Sequence, residues 1–324
     1  MTPACVEAPD VAEASVAPGV SILLLTKNHR KDLEANFDRI QGQDYGGAVE
    51  YIHIDSGSTD GTIEFMRERG IETHCIPPEE FHHARTRNLA ASMARYGILV
   101  CLSVDAVPAN SQWLRKLVRP FEDVEVGAVY GKQVAPKGTG PLRVRGLEYQ
   151  YPNAREVRQS RKGERIPLGY IRFSNANSAV RTEVWRRFKF HENVLVAEDH
   201  WLCYNVLKSG MKVVYEPEAA VIHGHERSIW EEFQFAVDNG VSLKRMGVFD
   251  DPDVGGEFRY GMHRIWSDWR HFTSQGQYGL AAQSLLVSSA KWAGVQLGKR
   301  EAHLPHWLLK RISEVHKKIP MRST

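Results

Sequence analysis

The chain is poor in cysteine. Its 324 residues include four, Cys5, Cys75, Cys101 and Cys203. They are widely spread and form no C-x-x-C pair, which argues against a disulfide scaffold and a structural zinc site. Cys101 and Cys203 sit in apolar runs, as buried thiols do, and a reducing, cytoplasmic compartment fits. Long apolar runs are missing too: none approaches the ~20 residues that span a bilayer. Charge of one sign is scarce. A net charge of +3, without a one-sign run, gives no basis for a nucleic-acid partner. No G-x-G-x-x-G follows the first strand-like run, which argues against a dehydrogenase, and no G-x-x-x-x-G-K-[ST] occurs, which excludes a P-loop kinase.

The N-terminal stretch lacks the basic and apolar regions of a signal peptide. Residues 1–18 are expected to form a disordered leader.

Beyond the leader, strand and helix signals alternate. Val20–Leu25 is a nearly continuous apolar run, as in a strand buried on both faces. Ala48–Ile54, Thr73–Ile76, Ile98–Ser103 and Val126–Tyr130 read as further strands. Helical patterns fall at Arg30–Ile40, Thr62–Arg69, His83–Met93 and around Trp113–Val118. Stacked βα units and a mainly parallel sheet follow. Gly138–Arg172 reads as a long loop with a helix inside it. Thr182–Phe188 and the Leu202–Leu207 spacing give two more helices, the second capped at Gly210. Lys212–Tyr215 and Ala219–Ile222 read as two separate strands. Ser228 and Glu231 form a capping box that opens a helix running towards Arg245. The tail from Phe258 onward is mostly helical.

In parallel sheets, ligands bind beyond the carboxyl ends of the strands. Four polar segments stand there. Thr26-Lys27-Asn28-His29-Arg30 could meet a nucleotide, although any strand-to-helix loop is polar. Asp55-Ser56-Gly57-Ser58-Thr59-Asp60-Gly61-Thr62 is a tight turn with a helix cap. It holds more acids, hydroxyls and glycines than a turn requires, and Asp55 is placed to accept a pyrimidine N3–H. Arg85, Arg87 and Asn88 open a helix, where an anion such as a diphosphate is favoured and bare cations are not. Asp105 follows a strand, where a carboxylate can hold Mg2+ or Mn2+ against a diphosphate. His223-Gly224-His225 also follows a strand, and alternation puts both imidazoles on one side. They could complete a metal shell with Asp105 or simply pack.

Taken in order, Thr26-x-Asn28, the Asp55–Thr62 segment, Arg87-Asn88, Asp105, Phe173–Ala179 and Ala197-Glu198-Asp199 resemble the family 2 glycosyltransferases. The resemblance covers about Val20 to Arg245. Phe81-x-His83-x-x-Thr86-Arg87-Asn88, Asp105-Ala106-x-Pro108 and Tyr130-Gly131-x-Gln133 look most like its bacterial rhamnosyltransferase branch.

The resemblance implies a GT-A (Rossmann-like) α/β domain over residues 19–245, its mixed, mainly parallel sheet flanked by helices, with a helical extension over 246–324. It implies inverting transfer of a sugar, at best L-rhamnose from dTDP-rhamnose, to a bacterial surface glycan or lipid-linked acceptor. A UDP-hexose donor and a non-catalytic sugar-binding subunit are the alternatives. Thr26, Asn28, Arg30, Asp55 and Ser58 would serve the nucleotide, and Arg87 would lie near the diphosphate. Asp105, with His223 and His225, would hold Mn2+ or Mg2+, while Ser103 stands where the first Asp of the Asp-x-Asp motif is often found. Asp199 would be the general base, because a sugar hydroxyl is a poor nucleophile. Glu198 would orient it. The plain alternative for both acids is the acidic first turn of a helix. Trp292, Trp307, Leu308, Leu309, Lys310, Arg311, Lys317 and Lys318 suit peripheral contact with the inner face of the cell membrane. They equally suit a helix packed on the domain or on a second copy of the chain.

Overall fold

The first strand is buried from both sides, and that sets the architecture. A computed structural model describes residues 17–161, 164–194 and 196–316. Residues 1–16 of the expected leader, and Lys317 and Lys318, lie outside them. Val20, Ile22 and Leu24 enter one apolar cluster while Leu23 enters another. A strand with helices on both faces therefore reads as a continuous apolar run.

The strands and helices run β1 (Val20–Thr26), α1 (Arg30–Gln41), β2 (Val49–Asp55), α2 (Thr62–Glu68), β3 (Thr73–Cys75), α3 (His83–Ser92), β4 (Ile98–Leu102), β5 (Val107–Pro108) and α4 (Trp113–Val118). There follow β6 (Val126–Val134), α5 (Pro141–Gln150), β7 (Glu156–Arg158), β8 (Ile166–Pro167), β9 (Asn177–Arg181), α6 (Thr182–Phe188), α7 (Glu198–Lys208) and β10 (Lys212–Ile222). The rest is α8 (Ile229–Arg245), β11 (Val254–Gly255), α9 (Glu257–Ser274), α10 (Tyr278–Gly298) and α11 (His306–Ile312).

The main sheet has the order β3-β2-β1-β4-β9-β6-β10-β5, with β7 beside β10. β3, β2, β1 and β4 are parallel, so Thr26, Asp55 and the end of β4 share one edge. β9 then runs antiparallel between β4 and β6, while β6 and β10 are parallel. The sheet is thus mixed, as the α/β expectation requires. Ser103 N, just past β4, donates to Ala176 O at 3.2 Å, tying the segment before β9 to that edge.

One expectation needs correction. Lys212–Tyr215 and Ala219–Ile222 are one strand, β10, whose register against β6 shifts between Glu216 and Val221. Pro217 lacks the N–H that a ladder needs, so the chain bulges there and resumes pairing. The capping box forms as expected: Ser228 Oγ accepts from Glu231 N at 3.2 Å, and Glu231 Oε2 accepts from Ser228 N at 2.7 Å.

α8 lies backbone to backbone on α10. A Cβ at Gly298 would stand 2.2 Å from Val237 O, and one at Gly240 2.6 Å from Val295 O. Larger residues would force the helices apart.

Candidate active site

The β1 and β2 ends build a tightly bonded loop. Asp55 Oδ2 accepts from the Thr26 hydroxyl at 2.6 Å and the Ser58 hydroxyl at 2.5 Å. Its Oδ1 accepts from Gly57 N at 2.9 Å and Ser58 N at 2.7 Å. Behind Thr26 stands His53, with Nε2 2.7 Å from the Thr26 oxygen and Nδ1 2.8 Å from Thr73 Oγ1. Burial pushes His53 down to about 4, with Asp55 opposing, so it is neutral at pH 7. The relay is consistent with Nε2–H donating to Thr26 and Thr26 donating to Asp55.

Asn28 takes a left-handed φ of 57°, which asparagine tolerates. It bridges the two loops: its N donates to Ser58 Oγ at 2.7 Å and its Oδ1 accepts from Thr59 N at 2.9 Å. Arg30 donates to Gly61 O at 3.0 Å and to Glu34 at 2.7 Å, over the Phe65 ring. Asp55 and Thr26 are buried and satisfied within this loop, while Asn28 faces solvent. A base meets the Asp55 carboxylate only if Ser58 turns away.

Further along the edge, Asp105 meets the two imidazoles. His225 Nε2 is 3.1 Å and His223 Nε2 3.6 Å from its carboxylate. One ligand atom from each of the three residues falls within a 4.8 Å group that could hold a metal ion. The rings stand at 89° with centroids 5.0 Å apart. His223 Nδ1 lies 2.9 Å from Gln133 Oε1, whose amide nitrogen donates to Ser174 Oγ at 2.8 Å. An amide oxygen there calls for Nδ1–H, leaving the Nε2 lone pair towards Asp105. Burial chiefly lowers the His223 pKa, against the pull of Asp105, which favours the neutral form a cation needs. Sequence reasoning placed these three residues together, and the structure does bring them together.

Glu198 and Asp199 open α7 after Ala197, whose φ is 63°. Glu198 pairs with Arg87 and accepts from Asn175 Nδ2 at 3.4 Å. Burial raises the Glu198 carboxyl, but Arg87, His83 and its hydrogen bonds outweigh that and hold it below its usual range. Asp199 behaves oppositely. Burial pushes it up, His200 opposes and Glu198 adds to the rise. Its oxygens accept from Asn175 N at 3.2 Å and His200 N at 2.8 Å. The pKa values of two adjacent acids are thus shifted in opposite directions.

Arg87 is therefore engaged by Glu198 in this structure, where a position near a diphosphate was expected. Asn88 is structural: it donates to Phe190 O at 2.9 Å and accepts from Trp185 Nε1 at 2.9 Å.

A cavity of about 580 Å3 joins the two imidazoles to Glu198 and Asp199; the Asp55 loop is not on its lining. Gln133, Glu198, Asp199, His223 and His225 line one side. Its other walls come from α5, α8, α10 and the turn before α8, through Arg143, Arg227, Phe235, Asn239 and Lys291. Sequence reasoning missed this second set. Arg143 Nε is buried without a hydrogen-bond partner and lies 3.9 Å from where a Cβ on Gly224 would stand. Arg227 stacks over Phe235, 4.1 Å from the ring centre. Their positions in the sequence carry no motif.

A bonded loop at the β1 and β2 ends, an Asp105–His223–His225 group and a cavity lined by both imidazoles and a buried Asp199 suit a sugar-transferring enzyme of the GT-A fold. The chain belongs to glycosyl transferase family 2: the family's model matches residues 21–189. It is 31% identical over 257 residues to the O-antigen chain rhamnosyltransferase RfbN of Salmonella typhimurium, covering 78% of this chain and 81% of the relative. It is 29% identical to the O-antigen chain rhamnosyltransferase WbaN of Salmonella anatum, over 79% and 81%. Its fold resembles a mannosyltransferase from Pyrobaculum calidifontis in complex with GDP-Man and Mn2+, with a TM-score of 0.55 and 19% identity, covering 94% and 87% of the two chains. The protein is a family 2 glycosyltransferase, rhamnosyltransferase-like. Among the described residues, no helix is long and apolar enough to cross a membrane.

Proposed function

We propose that the enzyme transfers L-rhamnose, with inversion, from dTDP-rhamnose to a surface glycan or lipid-linked acceptor. The observation that carries this reading is that Asp199 borders one cavity with His223 and His225, the two imidazoles that meet Asp105. The Salmonella relatives, named as rhamnosyltransferases, support the donor sugar.

Asp199 would take the proton of the attacking hydroxyl. Its raised pKa makes it a stronger base than an exposed carboxylate, and such a group contributes about 10²–10⁴-fold. Inversion is supported by Glu198. Arg87 and Asn175 hold its carboxyl, so it is not presented as the nucleophile that double displacement requires. Glu198 would orient Asp199 through the shared Asn175.

Asp105, His223 and His225 would hold a divalent ion, which when bound neutralises charge on the departing diphosphate. Two imidazoles and one carboxylate suit Mn2+ better than Mg2+, which prefers oxygen ligands. Arg143 and Arg227 would add positive charge nearby. Thr26, Asn28, Arg30, Asp55 and Ser58 would shape the nucleotide side, Asp55 reaching the base once Ser58 moves. Exposed Trp266, Trp292 and Trp307, with Lys310 and Arg311 beside the last, support peripheral membrane contact.

The test is transfer to a glycolipid acceptor with Mn2+, comparing dTDP-rhamnose, UDP-glucose and GDP-mannose. The reading expects transfer from dTDP-rhamnose with the product linkage opposite in anomeric configuration to the donor. Retained configuration, or a clear preference for another donor, counts against it.

A further inference from the structure

A second cavity, about 530 Å3 in volume, adjoins the first, and the two share Leu168, Gly169 and Arg172. Its lining is cationic. Among the described residues, Arg158, Arg165, Arg172 and His263 line it with one acid, Glu156. Ile166, Pro167 and Leu168 give it an apolar side.

The backbone explains the juxtaposition. β8 pairs with β11, Ile166 beside Val254 and Pro167 beside Gly255, and Ile166 N donates to Asp253 O at 2.6 Å. Arg165 is thereby set next to the point where the 18-residue α9 begins. The N-cap of α9 is Gly256, which offers no side-chain cap, and Gly255 and Gly256 line the cavity, so it borders the N-terminus of a long helix. A Cβ at Gly255 or Gly256 would meet nothing within 4 Å, so the space against this backbone is open.

Arg158 is 1% exposed. Its Nη1 donates to the carbonyls of Tyr170 at 3.1 Å and Arg172 at 2.9 Å, and its Nη2 to Glu156 at 2.6 Å. Its Nε is buried and has no partner, a costly state for a guanidinium N–H. Arg165 is exposed and makes no ion pair among the described residues. One fixed buried cation, one exposed cation unpaired among the described residues and a helix N-terminus whose N-cap residue supplies no side-chain cap make a receptor for an anion with several oxygens.

We propose that this second cavity binds a phosphate or diphosphate group, and that the group is carried by the acceptor. The second clause rests on the transfer reading above. An acceptor hydroxyl at Asp199 and an anionic group in the second cavity would be joined across Leu168 and Gly169. The donor's own diphosphate belongs on the opposite side, at Asp105.

The test begins with inorganic pyrophosphate titrated calorimetrically into metal-free protein in excess chelator. Wild type binds it, and Arg165→Glu weakens binding about fivefold or more without shifting the melting temperature, since Arg165 is exposed. Arg143→Ala, in the first cavity, leaves this binding in place. Two acceptors with the same glycan are then compared, one ending in a diphosphate and one in a free reducing end. Arg165→Glu raises KM about fivefold for the first and leaves KM unchanged for the second and for the donor. Pyrophosphate binding that ignores Arg165→Glu overturns the site. Arg165-dependent binding with equal KM for both acceptors keeps an anion site for free phosphate and overturns the acceptor assignment. Arg165-dependent binding in a protein that transfers from no donor upholds the site while the transfer reading falls.

Discussion

The two sides of the active cavity are built differently. On the sheet edge the Asp55 loop and His223 are held by hydrogen bonds. Asp55 accepts four hydrogen bonds, and Gln133 fixes His223. On the helical side Lys291 pairs with Glu232 at 3.0 Å, but Arg143 Nε finds no partner, and Arg227 covers Phe235 and has no ion pair among the described residues. The difference teaches that the sheet edge is set before any ligand arrives, while the helical wall has polar capacity left for one. A preorganised edge suits a fixed nucleotide and leaving group. An unsatisfied wall suits an acceptor that differs between related enzymes.

The sharpest way to break this contrast is Asp199→Asn. It keeps the shape and removes the base, so kcat should fall about a thousandfold while nucleotide affinity stays within twofold. Asp199 must be deprotonated to act, and burial raises its pKa, so kcat should fall as pH drops through that raised value. The inflection should lie above the usual carboxylate range near about 4. A flat profile there would remove Asp199 from the mechanism.

His223→Ala comes next. Losing a ligand should cost Mn2+ affinity about a hundredfold or more, read by titration with the dTDP complex. Gln133→Leu removes only the partner of Nδ1 and should cost about tenfold. Equal effects from the two would mean that Gln133 does more than orient the ring.

The smallest expected effect tests the other wall. Gly298→Val drives a side chain against Val237 O and should cost about 1–3 kcal/mol of stability. Parting α8 from α10 shifts Phe235 and Asn239, so acceptor KM should rise while donor KM holds. A change in donor KM alone would show that the two walls are not independent.

Legibility in the sequence follows the same division. The sheet edge is made of local signals: an apolar strand, then Asp, Ser and Gly in a turn, and His-Gly-His alternating past β10. Each is readable because the contacts that shape it lie within a few residues or at a neighbouring strand end. Pro217 disguised β10 as two strands because a proline normally ends a ladder, and only the partner β6 shows that pairing resumes. The Arg87–Glu198 pair joins residues 111 apart, so nothing local announces that Arg87 is engaged. Arg143 sits inside α5 with no motif around it, and the α8–α10 seam depends on glycines from separate helices meeting. Long-range pairings of this kind have no spacing to read.

The central proposal is spatial: the leaving diphosphate and its ion would sit at Asp105, His223 and His225, with both imidazoles on the cavity that Asp199 lines. Anomalous diffraction from crystals grown with dTDP and Mn2+ reads that placement directly. The account predicts a manganese peak at coordination distance from all three side chains, with the β-phosphate on it and Asp199 facing the same open space. A peak bound elsewhere, or a diphosphate whose terminal oxygens point away from Asp199, would contradict it.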